Sequence, residues 1–149
     1  MRAVRWRVMD DPFHLDRFVA AQVESYDRAL AELHRGRKTT HWMWFVFPQL
    51  RGLGRSATAQ HFGIASLAEA RAYLDHPILA ARLREAAAAI IAAAGSAEDI
   101  LGPIDALKLR SSATLFAAAA TDPAPFRAVL DRFFDGKADP ATCGLLGAA

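Results

Sequence analysis

The sequence holds one cysteine in 149 residues, Cys143, so no disulfide can close within the chain and no Cys-based zinc site is available. That scarcity fits a reducing compartment, and a cytoplasmic location is the expectation. Long apolar runs are missing too. The longest, Ala86 to Ala94, has nine residues and is mostly Ala, far short of the roughly 20 needed to cross a bilayer. The first residues carry Arg2, Arg5 and Arg7 but no apolar stretch behind them, so they do not read as a secretory signal. Lysine is rare: Lys38, Lys108 and Lys137 stand against 15 Arg, and the net charge is only +2. The cations are scattered, apart from Arg35, Arg37, Lys38 and the three early arginines, and form no dense basic stripe. Nucleic acid is therefore not indicated as a partner. There is no HExxH, CxxC, EF-hand loop or GxSxG, and His14, His34, His61 and His76 lack metal-ligand spacing. Gly52-Leu-Gly54 lacks the third glycine and the preceding strand of a dinucleotide fingerprint. No metal and no covalently held cofactor is implied. Finally, no segment alternates apolar and polar residues, so no strand is expected.

What remains is helix. With 33 Ala and 53% hydrophobic residues, the chain can bury a core and favours α-helical backbone. Asp11-Pro12 reads as a helix start, and Phe13, Phe18, Val19, Val23, Tyr26, Leu30 and Leu33 predict one helix over about 12–35, stopped by Gly36. Ser66-Leu-Ala-Glu69 predicts a capping box opening a helix that stops near His76, before Pro77. A helix from Pro77 to Gly95, a short turn at Ser96–Asp99, and a helix capped by Asp105 and running to about Ala120 follow. Asp122-Pro123 and Asp139-Pro140 each start another. The expectation is a tail over 1–10 and a single all-α domain over 11–149, with six or seven helices and one irregular Trp-rich loop segment.

Two stretches carry chemistry. The first is Gly36-Arg-Lys-Thr-Thr-His-Trp-Met-Trp-Phe-Val-Phe-Pro-Gln-Leu-Arg-Gly-Leu-Gly-Arg-Ser56, which fits neither helical nor strand periodicity. Its polar groups beside large aromatics suit a ligand wall. Lys38 and Arg55 could hold an anion, His41 could exchange a proton near neutral pH, and Gln49 could donate and accept at once. The same residues also suit bland roles: Trp42, Trp44, Phe45 and Phe47 as core anchors, His41 as a structural hydrogen-bonder. The second stretch is Ile104-Asp-Ala-Leu-Lys-Leu-Arg-Ser-Ser-Ala-Thr-Leu-Phe116. On a helix, Asp105, Lys108, Ser112 and Ser111 fall near one face, with Leu107, Leu109, Leu115 and Phe116 as apolar partners. Asp105 and Lys108 could form an i, i+3 pair, and Lys108 could activate a serine nucleophile. Cys143 reads as a small buried hydrophobe.

Lys38-Thr-Thr-His-Trp-Met-Trp-Phe-Val-Phe-Pro-Gln-Leu50, with Gly52, Gly54 and Ser56 behind it, resembles the hallmark of an uncharacterised family, domain of unknown function 1810. Glu69-Ala-Arg-Ala-Tyr-Leu-Asp-His-Pro77, then Leu79, Arg82 and Leu83, then Asp105, Lys108-Leu109, Ser111-Ser112 and Thr114-Leu-Phe116, and last Phe134, Gly136 and Asp139 to Thr142, agree in order. Phe62-Gly63 departs slightly, where the family often has a Tyr before a small residue. The resemblance spans about residues 10–147 and implies a compact all-α fold found mostly in bacteria, with no established activity, substrate or cofactor. It also implies that Lys38, His41, Gln49, Ser56, Asp105, Lys108, Ser111, Ser112 and Thr114 are the polar positions to follow.

Three readings stay open. In one, the two stretches converge on a pocket for a small phosphate- or carboxylate-bearing ligand, with His41 and Lys108 as catalytic candidates and Lys38, Trp42, Trp44, Gln49, Arg55, Ser56, Asp105, Ser111 and Ser112 as ligand contacts. In the second, the Trp-rich segment is an exposed patch of a regulatory or interaction module. In the third, both stretches form a buried polar network.

Overall fold

The structure is a computed structural model and describes residues 11–147; the early arginines and the expected 1–10 tail lie outside the described residues. Among the described residues there are ten helices: α1 (Asp16–Gln22), α2 (Tyr26–Arg35), α3 (Met43–Val46), α4 (Ala57–Phe62), α5 (Leu67–Asp75), α6 (Pro77–Ala92), α7 (Ala97–Leu101), α8 (Pro103–Ala119), α9 (Ala124–Phe134) and α10 (Pro140–Gly147). The only extended pairing among them is a single parallel bridge, Leu50 with Ile64. The all-α single domain is as expected, but ten helices exceed the six or seven predicted.

The three extra helices have local causes. The 12–35 helix is two helices, because Ser25 turns its hydroxyl back onto the Ala21 carbonyl and the chain bends over Val23 to Ser25. The bend changes the face presented to the core: Phe18 and Gln22 are buried from α1, Tyr26, Ala29 and Leu33 from α2, while Val23 is 71% exposed. Asp11 caps as expected, but its two carboxylate oxygens take the amides of Leu15 and Asp16, so regular helix starts four residues later than Pro12. α3 is one turn inside the Trp-rich segment, and α4 opens at Ser56, whose hydroxyl accepts from the Ala59 amide.

Elsewhere the start signals hold. Ser96 and Asp99 form a reciprocal capping box on α7. Asp122 accepts from the Ala124 amide, and Asp139 takes both the amide and hydroxyl of Thr142. His76, read only as a stop, is also a cap: its Nδ1 accepts from Ile78 and Leu79, so α5 and α6 meet at one residue. Partial burial lowers its pKa, against the raising influence of Asp11 and Asp16. The Ser66–Glu69 box is half-formed. Ser66 accepts from the Glu69 amide, but the Glu69 carboxylate turns instead to the Ala65 amide and to Arg17, 2.7 Å away in a buried ion pair.

α8 lies at the centre. Every residue from Ser111 to Phe116 is buried, so no single apolar stripe exists for a periodicity reading to find. Tyr73 of α5 packs 5.2 Å from both Phe18 and Phe116, and Phe116 packs 5.8 Å from Phe126, an aromatic line joining α1, α5, α8 and α9. Buried Ala86, Ala87 and Ala89 of α6 and Ala113 of α8 let neighbouring helices approach closely.

Candidate functional site

The Trp-rich segment leaves α2 through Gly36 and is pinned at once, since the Lys38 amide donates to the Ile100 carbonyl over 2.7 Å. This places the segment against the junction of α7 and α8. Gly102 sits there at φ 89°, ψ 161°, a region open in practice only to glycine, and Pro103 follows as the first residue of α8. α8 therefore opens with no side-chain cap, and its positive end faces the Trp-rich segment.

Between the two lies a depression of about 300 Å³, lined by Lys38, His41, Met43, Trp44, Leu101, Gly102, Pro103, Ile104, Asp105 and Lys108. Contrary to the expectation from the sequence, Asp105 does not cap α8; it lies inside the first turn and bridges two lysines. Its Oδ2 is 2.8 Å from Lys38 Nζ and its Oδ1 is 3.3 Å from Lys108 Nζ. Each ammonium also faces an indole, Lys38 at 5.2 Å from the Trp42 ring and Lys108 at 4.8 Å from the Trp44 ring. The Lys38 side chain is 8% exposed and that of Lys108 22%. Lys108 is thus the looser and more accessible cation. His41 is exposed on the rim, and Trp44 is half-buried in the wall.

Lys38, His41, Trp44, Asp105 and Lys108 therefore meet, and the other candidates lie elsewhere. Trp42 is buried, and its indole N–H donates to Glu32. Gln49 gives its carbonyl to the Ile64 amide, Arg55 is exposed, and Ser56 is the cap of α4. Ser111 donates to the Leu107 carbonyl and to Asp139, on the α10 side of α8. Ser112 falls on the Asp105–Lys108 face by helix spacing but is buried and does not line the depression, and Lys108 pairs with Asp105 rather than with a serine, so the Lys-activated nucleophile is not formed. Leu107, expected as an apolar partner, is 63% exposed, and Ile104 is 70% exposed beside the depression.

Sequence reasoning missed the carboxylate beneath the site. Glu32 of α2 accepts from the amides of Thr39 and Thr40, the Thr40 hydroxyl and the Trp42 indole, and has no ion-pair partner among the described residues. Burial alone would raise its pKa, but the hydrogen bonds from Thr40, Thr39 and Trp42 outweigh it and bring the pKa down to about 2. Arg17 was missed as well. Besides Glu69 it donates to the carbonyls of Phe13, His14, His61 and Gly63. The available signal was a charged residue on an otherwise apolar helix face; its partner, 52 residues away, was not visible.

A larger depression, about 510 Å³, lies between α8, α9 and α10, with walls that are mostly Ala, Gly and Leu. Cys143 is exposed on it, not buried as the sequence suggested. Its few polar groups do not converge as the lysines do. No group of three or more His, Cys, Asp or Glu among the described residues is placed to hold a metal ion, and no helix among them is long and apolar enough to cross a membrane.

With this geometry in view, the comparisons with known proteins agree with the motif. Residues 12–146 match the model of the family described as "Protein of unknown function (DUF1810)", and the chain belongs to that family. The fold is similar to the crystal structure of the conserved hypothetical protein Rv1873 from Mycobacterium tuberculosis, with 50% identity and a TM-score of 0.91 over 93% of this chain and 100% of that one. No curated protein matches.

Proposed function

We propose that the depression between the Trp-rich segment and the start of α8 binds a small anionic molecule, as a binding or processing site. The observation that carries this reading is the meeting of two lysines around one carboxylate, from stretches about 70 residues apart, at the uncapped positive end of a long helix. Two ammonium groups against one carboxylate leave one positive charge, before His41 is counted. In processing, His41 is the group to move a proton and Lys108 the group to stabilise developing charge. A cytoplasmic setting is part of the proposal, since the single thiol is exposed and can form no intrachain disulfide.

A second reading, an interaction module, draws on exposed Ile104 and Leu107 beside the depression. A thermal-shift screen against phosphates, nucleotides and small acids separates the two. An anion site predicts stabilisation by at least one anion class, lost in His41→Ala and Lys108→Ala variants that keep their helical content. A flat screen, with capture of a protein partner abolished by Leu107→Asp, would favour the module.

A further inference from the structure

We infer that the ligand of this depression is a monocarboxylate carrying a compact apolar or aromatic group, and not a polyphosphate or a nucleotide. The inference rests on the anion-site reading above and names the class of anion.

Charge comes first. Asp105 already occupies the lysines, holding Lys38 at 2.8 Å and Lys108 at 3.3 Å, so the cluster offers one surplus positive charge. A single carboxylate balances it. A di- or trianion would sit beside Asp105 with at least half of its charge unmatched, and two like charges a few ångströms apart repel. The lysines also differ in what they can give. Lys38 is 8% exposed and held by Asp105 and the Trp42 face. Lys108 is farther from Asp105 and more exposed, and an ammonium has three donors, so it can serve a second carboxylate. His41, on the same rim, supplies a further donor.

The rest of the lining is apolar: Met43, Trp44, Leu101, Pro103 and Ile104. Such a wall gains from an apolar body, and its side chains offer a sugar or a second phosphate no hydrogen bond. The half-buried Trp44 ring is the flat surface for that body. Size points the same way, because about 300 Å³ is at the bottom of the range of roughly 300–1,000 Å³ for small-molecule pockets.

The test is calorimetric titration of the purified chain at fixed ionic strength with phenylacetate, phenylacetamide, pyrophosphate and ATP, with thermal shifts in parallel. Phenylacetate should bind at least tenfold more tightly than the isosteric amide and than either phosphate. Lys108→Met should weaken phenylacetate at least tenfold, and Trp44→Leu should weaken it by a similar factor while both variants keep the wild-type helical content. Tighter binding of pyrophosphate or ATP than of phenylacetate would overturn the inference and leave the anion-site reading standing. Equal binding of acid and amide would overturn it too, by removing the carboxylate from recognition. Absence of binding by every anion would overturn both. A short peptide ending in a free Phe carboxylate is the last arm; binding stronger than that of phenylacetate would overturn the small-molecule assignment in favour of a chain terminus.

Discussion

Trp42 and Trp44 are two residues apart in one motif, and each has a lysine over its ring, yet they live in different surroundings. Trp42 is 1% exposed and gives its indole N–H to Glu32, a carboxylate served also by Thr39 and Thr40. Trp44 stands half-buried in the wall of the depression, with the accessible Lys108 against it. The difference teaches that one run of sequence does two jobs. Thr39, Thr40 and Trp42 tie the segment to α2 through a buried anion, and that anchoring lets Lys38, His41 and Trp44 face α8.

The comparison breaks most completely at Glu32. Glu32→Ala leaves the part-buried Thr39 and Thr40 amides, the Thr40 hydroxyl and the buried Trp42 indole N–H without their acceptor, and should cost roughly 3–5 kcal/mol in urea unfolding, with loss of ligand binding as the segment detaches. Acid should act on the same point. The Glu32 pKa falls from an ordinary 4.5 to about 2 in the fold, so its stabilisation is complete above about pH 4.5 and drains away as pH falls toward 2. Unfolding free energy should drop by about 3 kcal/mol across that window, and Glu32→Gln should show a shallower slope there. Trp42→Phe removes one charge-assisted bond and part of a buried ring, and should cost about 2 kcal/mol while leaving anion affinity within a few-fold. Trp44→Leu should be the mildest for the fold, under about 1 kcal/mol, while ligand titration shows the loss described above. Equal destabilisation by the two tryptophan changes would erase the division of labour.

Much of the scaffold was legible because its signals are local. Pro77 and Pro140 each begin a helix, and Ser96, Asp122 and Asp139 cap as their spacing suggests, whereas the helix expected to be capped by Asp105 starts two residues earlier at Pro103. The first helix was misread because Val23 fits the apolar period, whereas the backbone bends under Ser25 and turns Val23 outward. The site was half legible. Lys38, His41, Trp44, Asp105 and Lys108 were identified as candidates, and the fold does bring them together. Which serine faced which helix was not legible, because α8 is buried on most of its circumference and its neighbours decide each side chain's role. Glu32 and Arg17 escaped for a related reason. A buried charge is defined by partners that sequence order does not place beside it.

The bridge between Leu50 and Ile64 acts as a clasp. Arg51 donates its amide to the Ile64 carbonyl over 2.7 Å, and Ile64 donates to the Gln49 carbonyl over 3.0 Å. Gly63 permits this approach, since a Cβ there would fall 2.7 Å from the Arg51 backbone. Two backbone bonds thus close the stretch containing α4 into a ring whose ends stay together whatever lies between them. Such a ring tolerates changes of length at its far side, because the strain of an insertion ends at the clasp. The loop from Gly52 to Arg55, ahead of the α4 cap Ser56, is thereby the place to graft an affinity tag or a fluorescent reporter without moving the lysines.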